Sequence, residues 1–352
     1  MLSILPPEIL RLILTHVDDR KTFCNILVTS RQFSQLVEPF LYAEIIFSEP
    51  AMTDVDIDLR TLELFHEALE VSNGRRAACI RTFSSYTNHQ GKGESLIEKI
   101  LMKAANLKFL RLYSVDTSLS HFLHQHPPFA LTRFHGILRC LGPEMARFLE
   151  SQTSLEAIFI LLMEPSETQP PVFSPTSLPN LKTLIIGAHL ILPFLRTSAD
   201  VRNLRINDVE HFPPISQRDK TFLASVRVLS CPPTSISRSL ASQLPNLEWL
   251  ELLDGSVDIS TLMDWSHENH RLRGIISACS SSPPPTDFRP LFDAIPTLEF
   301  VEYKYGYLGE TSRRWYRDVP SSLPVRWTCN DGEEWLADWE RDVVLGSASM
   351  EF

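Results

Sequence analysis

The amino-acid sequence predicts an α/β fold in which three short N-terminal helices precede a curved solenoid of parallel strands. Three observations predict it: capped amphipathic segments near the N-terminus, a short apolar phrase that recurs along the rest of the chain, and helical spacing of apolar residues between its copies. The chain has 352 residues, of which 43% are hydrophobic, enough for a large core. We expect two domains, a helical one at residues 1–46 and a repeat array at residues 47–352.

The N-terminal segment carries three predicted helices. Pro6 and Pro7 open the first, since proline is tolerated where a backbone N–H has no intrahelical partner. Asp18 and Asp19 are expected to supply a cap and negative charge for the second helix, and Ser30 is expected to cap the third. About forty residues bury too little surface to be stable alone, so a binding partner is expected. The apolar positions at helical spacing are Ile9, Leu10, Ile13, Leu14, Val17, Phe23, Ile26, Leu27, Phe33, Leu36, Val37, Phe40 and Leu41.

This N-terminal segment resembles an F-box. The resemblance rests on Leu5-Pro6, Glu8-Ile9-Leu10, Ile13-Leu14, Val28 to Phe33, and Leu41-Tyr42. Thr29 is a mild departure, because family members usually have Cys or Ser there. The resemblance implies docking on the Skp-type adaptor of a Skp–cullin–F-box ubiquitin ligase, and through it on a cullin–RING ligase. The alternative is an ordinary three-helix N-terminal cap. The residues expected to form or support the adaptor contact are Leu5, Pro6, Ile9, Leu10, Ile13, Leu14, Val28 and Phe33.

A short apolar phrase recurs after residue 46. It has the form apolar-x-x-apolar-x-apolar, and Leu107 to Leu112 is one of its clearest copies. Its first residue stands at Ile80, Leu107, Leu131, Leu155, Leu181, Val201, Val226, Leu247, Leu272 and Leu298. Subtraction gives intervals of 27, 24, 24, 26, 20, 25, 21, 25 and 26 residues. This is the period of leucine-rich repeats, whose strand, loop and helix units stack into a solenoid with parallel strands.

The array resembles the leucine-rich repeats often found after an F-box, with one departure. The usual Asn or Cys eight residues past the first apolar position is absent from nine of the ten copies, and His189 and Gly255 are two of the residues that stand there. We therefore expect irregular turns and an uneven coil. A doubly wound α/β domain is the alternative fold, because periodicity alone does not determine topology.

One face of the predicted strands offers candidate contacts to an unidentified protein substrate. The fourth and sixth residues of the phrase are apolar, so alternation places the third and fifth on the opposite, concave face. Aromatic residues and arginine are enriched where binding energy concentrates. A register shift of one residue would instead turn these side chains into the core. The candidates are Phe109, Arg111, Arg133, His135, Phe159, Arg205, Trp249, Glu251, Phe300 and Glu302.

Two C-terminal stretches have their own patterns. The stretch from Tyr303 to Arg317 mixes aromatic and basic residues, which we interpret as a strand and helix of the array with a solvated basic face. Residues 331–344 place Trp335 and Trp339 on one helix face and acidic residues mostly on the other. This pattern predicts a helix that caps the last repeat, because solenoids need a polar-faced end unit.

Composition narrows the classes of partner. The formal net charge of −10 disfavours a nucleic-acid binder, because phosphate binding needs a basic surface. No apolar run approaches the roughly 20 residues of a membrane span, and the N-terminus lacks the basic and apolar regions of a signal peptide. We expect an intracellular protein, cytoplasmic and/or nuclear, without a membrane partner. The six cysteines include no C-x-x-C pair, which indicates reduced thiols without disulfides or metal.

No motif in the sequence indicates catalysis. His121, His124 and His126 are closely spaced, but no Cys or Asp stands nearby, so a solvated helix end is favoured over a metal site. The sequence has no G-x-S-x-G elbow, H-E-x-x-H pair or Gly-rich dinucleotide fingerprint. We therefore expect a non-catalytic chain without a cofactor. Two functions stay open: the substrate-recognition subunit of a ubiquitin ligase, or a scaffold that acts outside a ligase.

Overall fold

The computed structural model describes residues 6–17, 19–47, 55–85, 92–115, 122–123, 125, 127–162, 171–197, 199–207, 220–235, 238–253, 259–266, 271–279, 288–305, 311–317 and 323–325. The chain divides into two compact units, Met1–Ser235 and Ile236–Phe352. The N-terminal helices share the first unit with most of the strands, so this division differs from the predicted one after residue 46. In the described ranges, no helix is both long and apolar enough to span a bilayer.

Three helices begin the first unit, as predicted. They are α1 Pro7–Leu14, α2 Arg20–Leu27 and α3 Arg31–Leu41. The predicted caps are confirmed: the Asp19 carboxylate accepts hydrogen bonds from two N–H groups of the first turn of α2, and the Ser30 hydroxyl accepts one from the Phe33 N–H at 3.2 Å. Each cap satisfies N–H groups that a helix start otherwise leaves without a partner.

The three helices enclose a small apolar core of their own. Partly buried neighbours surround it, and the Phe23 and Phe40 rings stack with their centroids 5.8 Å apart. The core is small, because three short helices can bury only a few side chains between them. Its buried residues are Leu10, Leu14, Phe23, Leu36 and Val37.

Eight described strands follow in the first unit, each parallel to the next and paired in chain order. A doubly wound sheet reverses its strand order at a switch point, so this order favours the solenoid. The strands are β1 Glu44–Phe47, β2 Thr82–Ser85, β3 Phe109–Val115, β4 Arg133–Leu138, β5 Ala157–Leu162, β6 Thr183–Ile186, β7 Asn203–Ile206 and β8 Val228–Cys231. The helices among them are α4 Val55–Val71, α5 Lys92–Leu101, α6 Pro143–Ser151, α7 Ile191–Leu195 and α8 Lys220–Ser225.

The predicted strand register is confirmed. Equivalent positions of the phrase are register partners in neighbouring strands, for example Leu110 with Phe134 and Phe134 with Ile158. The fourth position of each phrase points into the core and is at most 1% exposed in this unit. The residues at this position are Phe83, Leu110, Phe134, Ile158, Leu184, Leu204 and Leu229.

Polar side chains placed just ahead of the strands link neighbouring repeats. The Asn106 amide donates to the Ala78 carbonyl at 2.8 Å, and the Asn180 amide donates to the Thr153 carbonyl at 2.9 Å. The Ser225 hydroxyl donates in the same way to a carbonyl of the repeat before it, also at 2.9 Å. These bonds satisfy backbone carbonyls between the repeats. Side chains therefore link the repeats even though nine of the ten copies lack asparagine at the usual position.

The second unit begins with parallel strands and ends with antiparallel ones. Strand β10 pairs in parallel with β9 and β11, whereas β12 is antiparallel to β11 and to β13. The interpretation of Tyr303 to Arg317 as a strand and helix is therefore wrong: the chain returns as a strand. Only residues 306–310 separate β11 from β12, too few for a parallel crossover. The elements are α9 Arg238–Ala241, β9 Trp249–Leu252, α10 Ile259–Ser266, β10 Gly274–Cys279, α11 Arg289–Ala294, β11 Phe300–Tyr305, β12 Thr311–Tyr316 and β13 Leu323–Val325.

Candidate functional site

Helix α1 presents an apolar surface that the other two helices do not cover. Ile9, Leu12 and Ile13 are 43%, 59% and 50% exposed. Leu10 and Leu14 lie on the adjoining face and are buried in the three-helix core. Residues three and four apart share a helix face, so the three exposed side chains form one continuous patch. We call Ile9, Leu12 and Ile13 the α1 face.

The other predicted adaptor-binding residues fall into three groups. Pro6 is exposed at the start of α1, and Val28, at the end of α2, is 80% exposed. Phe33 is half-buried against the three-helix core, so it supports the helices. Leu5 lies outside the described residues. The sequence analysis missed Leu12, although its spacing of three residues from Ile9 already places it on the same face.

The candidate substrate contacts on β3, β4 and β5 are brought side by side, but three of the five are buried. Phe109 pairs with Arg133, and Arg111, His135 and Phe159 follow one another across β3, β4 and β5. Arg133 is exposed and Phe109 is half-buried. Arg111, His135 and Phe159 are only 7%, 2% and 4% exposed. These three side chains point outward, as the alternation predicted. They are nevertheless buried, so the solvent exposure expected of them is wrong.

His135 is buried between the aromatic rings of its neighbours. Its ring lies edge-on to Phe159 with centroids 3.9 Å apart, and 5.5 Å from the Tyr113 ring. In the part of the chain that the structure describes, its Nε2 has no hydrogen-bond partner. Burial, and secondarily the positive charge of Arg111, hold the pKa of His135 well below its usual value. This imidazole is therefore neutral near pH 7.

The candidate contacts on the second unit form a packed cluster around β10. Trp249 and Phe300 flank Gly274 in register, and their ring centroids are 5.5 Å apart. A Cβ on Gly274 would lie 2.5 Å from the Trp249 ring, so only glycine fits here. The buried Glu302 carboxylate pairs with Arg314 Nη2 at 2.6 Å. Glu302 thus already has an internal partner.

The remaining candidates differ in how much surface they offer. Trp249 and Arg205 are half-buried, and the Arg205 Nε donates to Asn207 Oδ1 at 3.0 Å. Glu251 and Phe300 are 3% and 5% exposed. No contact in the structure tests substrate binding, so all ten residues stay predictions. The predicted capping helix at residues 331–344 and the histidines at 121, 124 and 126 lie outside the described residues.

Neither a metal cluster nor a disulfide is found within the described ranges. No group of three or more potential ligand side chains comes together there. The cysteines described, Cys24, Cys79, Cys140 and Cys231, are thiols.

Comparison with known proteins assigns the N-terminal helices. Residues 2–50 match the family model described as the COS11 F-box domain. No curated protein matches the chain. Among solved structures, a chain of the crystal structure of the Rad7 and Elc1 complex in yeast is similar at 12% identity with a TM-score of 0.28. The match covers 77% of this chain and 96% of that chain, and a likeness this distant carries no argument.

The family match and the geometry agree on the N-terminal segment. The matched residues 2–50 contain α1, α2 and α3, whose caps and core follow the pattern that the F-box resemblance implied. The repeats that follow are α/β units with parallel strands at leucine-rich-repeat spacing. The chain therefore combines an N-terminal segment that matches an F-box domain with a leucine-rich-repeat-like array of parallel strands.

Proposed function

We propose that this protein is the substrate-recognition subunit of a Skp–cullin–F-box ubiquitin ligase. The observation that carries the proposal is the α1 face, an uncovered apolar patch on a helix of the F-box domain. The groove of a partner protein commonly covers an amphipathic helix of this kind. The Skp-type adaptor is the partner that an F-box implies, and it would connect the chain to a cullin–RING ligase.

The repeat array is proposed to hold the protein that is ubiquitinated. Four candidate contacts have side-chain surface to offer: Phe109, Arg133, Arg205 and Trp249. Arginine binds carboxylates and phosphates through paired hydrogen bonds, and aromatic rings supply large contact area. We favour these four as contacts over the buried candidates. The chain would do no chemistry itself and would act by holding its target near the ligase, inside the cell.

The second candidate function is a scaffold that binds the Skp-type adaptor outside a ligase. The same α1 face supports it, because exposed apolar surface indicates a partner and not what that partner is joined to. The two functions differ in whether a cullin is present. No observation on the array favours one of them over the other.

Affinity purification of the full-length protein tests the proposal. The ligase subunit is expected to bring down both the Skp-type adaptor and a cullin with its RING protein. The Ile9→Asp, Ile13→Asp double variant should lose all of them together, because an unpaired carboxylate on the α1 face opposes burial. Leu64→Asp is the matched control, since Leu64 is 48% exposed on α4, outside the F-box helices. Recovery of the adaptor without any cullin would support the scaffold instead.

A further inference from the structure

A buried carboxylate joins the F-box helices to the first repeat. Glu38 lies in α3 and is 1% exposed. Arg76 Nε lies 3.0 Å from its carboxylate and Arg75 Nη2 lies 3.1 Å from it. Both arginines follow α4, so the ion pairs cross from the F-box domain into the array. A buried carboxylate that loses its partners is strongly disfavoured, so this contact holds the two parts together.

Arg76 extends the contact to two further elements. Its Nη1 donates to the Ala68 carbonyl in α4 at 3.2 Å, and its guanidinium lies 5.3 Å from the centre of the Tyr42 ring. Tyr42 follows α3 directly and stacks on Phe65 of α4 with centroids 6.1 Å apart. A planar guanidinium can combine hydrogen bonds with stacking, which lysine cannot reproduce. We call Glu38, Arg75, Arg76 and Tyr42 the junction cluster.

The backbone between α3 and the array leaves little freedom. Helix α3 ends at Leu41 and β1 begins at Glu44, which pairs in parallel with β2. The Ala43 carbonyl accepts hydrogen bonds from the N–H groups just ahead of β2 at 2.8 and 2.9 Å. Arg20 of α2 also donates to the Glu44 carbonyl at 2.8 Å. The F-box domain is thus continuous with the sheet, and the predicted boundary after residue 46 falls inside β1.

We propose that Glu38 is a positioning residue: through the junction cluster it fixes the orientation of the F-box helices on the first repeats. The adaptor bound to the α1 face would then stand in one set orientation to the β1–β4 end of the array. The statement about the adaptor rests on the proposed function. The statement about the orientation of the helices rests only on the ion pairs of Glu38.

Spin-label distance measurement on the full-length protein tests the geometry. One label is placed on the exposed Cys24 of α2 and one on Met102→Cys, which follows α5 and is 54% exposed. The wild-type junction is expected to give one narrow distance peak, and Glu38→Gln should broaden it. Glu38→Gln keeps the shape of the side chain but removes the charge that holds both arginines. The background replaces these cysteines by alanine: Cys79, Cys140, Cys231, Cys279 and Cys329.

Two arginine variants separate positioning from general stability. Arg76→Lys keeps the positive charge but loses the stacking on Tyr42, so the peak should broaden by less than with Glu38→Gln. Arg60→Ala is the matched control outside the junction cluster, because Arg60 pairs with Glu63 within α4 and its side chain is 63% exposed. It should leave the peak nearly unchanged. An unchanged narrow peak in a folded Glu38→Gln protein would overturn the inference. Should that variant fail to fold, an unchanged peak in folded Arg76→Lys would do so.

Ubiquitination of the protein's own lysines gives the functional readout. The chain is assembled with the Skp-type adaptor, cullin, RING protein and a ubiquitin-loaded conjugating enzyme, and the modified lysines are mapped by mass spectrometry. Wild type should modify a restricted set, and Glu38→Gln should spread modification over more lysines while still binding the adaptor. The same set in both proteins would contradict the positioning role. No modification in either, with the distance peak behaving as expected, would count against the proposed ligase function and leave the junction geometry intact.

Discussion

On α1, the outward-facing side chains Ile9, Leu12 and Ile13 keep 43%, 59% and 50% of their surface exposed. On the repeat array, the outward-facing Arg111 and His135 keep only 7% and 2%. A helix on a three-helix core has no neighbours on its outer side, so its outer face stays open. In a sheet, each side chain has neighbours about 4.8 Å away on both sides, so a side chain that points outward can still be buried. Helix periodicity therefore predicts exposure better than strand alternation does.

The largest difference in the free energy of unfolding is expected between variants at two adjacent residues of β4. Phe134 is fully buried and its ring packs edge-on against Phe148 at 5.8 Å. Phe134→Ala should lower the free energy of unfolding by about 3–5 kcal/mol, from lost burial and the cavity left behind. The exposed Arg133→Ala should change it by no more than about 0.5 kcal/mol. Denaturant unfolding followed by tryptophan fluorescence measures both. Similar effects for the two variants would contradict the register.

The same difference in stability between a buried and an exposed residue is expected in the F-box helices, at the adjacent residues Leu14 and Ile13. Leu14→Ala removes a side chain that is 4% exposed in the three-helix core and should cost about 2–5 kcal/mol. Ile13→Ala trims the α1 face and should cost little in the unbound protein. Hydrogen exchange of the α2 and α3 amides reports the difference directly. Faster exchange in both variants alike would show that Ile13 is part of the core.

Gly274 tests the packing between Trp249 and Phe300 in the second unit. Gly274→Ala places a methyl group 2.5 Å from the Trp249 ring, and overpacking of this kind costs about 1–3 kcal/mol. Gly142→Ala is the matched control, because nothing lies within 4 Å of its added Cβ. As a helix N-cap, it should lose less than about 1 kcal/mol. Melting temperatures of both variants measure the difference, and equal shifts would contradict the close approach.

The smallest effect on stability is expected from substitution of His135, and it depends on pH. Its folded-state pKa lies below the usual value of 6.5, so the unfolded chain takes up a proton first as the pH falls. Stability from the neutral imidazole is therefore present above the unfolded pKa and is lost as the pH drops below it. The slope approaches about 1.4 kcal/mol per pH unit at most. His135→Leu should reduce the loss of stability between pH 7.5 and 5.5, which denaturant unfolding at each pH measures.

Local signals in the sequence predicted the parts of the fold that depend on local physics. The caps at Asp19 and Ser30 and the phrase at Leu110 and Phe134 were predicted correctly, because capping and alternation act over a few residues. The helix expected within Tyr303 to Arg317 was wrong, because strand β12 lies there, antiparallel to β11. Here the short connection after β11 decides the direction.

The features that the sequence analysis missed depend on contacts between residues far apart in sequence. It assigned no role to Arg75 and Arg76, because only the fold brings them to Glu38 in α3. Ser225 likewise carries no sequence sign of its bond to the repeat before it. The burial of His135 requires knowing that Arg111 and Phe159 flank it. Each of these contacts joins residues that are distant in sequence, so no local sequence pattern can predict it.

Calorimetric titration of purified Skp-type adaptor into the full-length protein tests the central claim most directly. The wild-type protein should bind through the α1 face. Ile9→Asp, Ile13→Asp should weaken binding at least about 100-fold, because burying two unpaired carboxylates costs more than about 2.8 kcal/mol. Leu64→Asp should bind as the wild type does. Equal affinity of the double variant and the wild type would show that the adaptor does not cover the α1 face, and the proposed function would lose its basis.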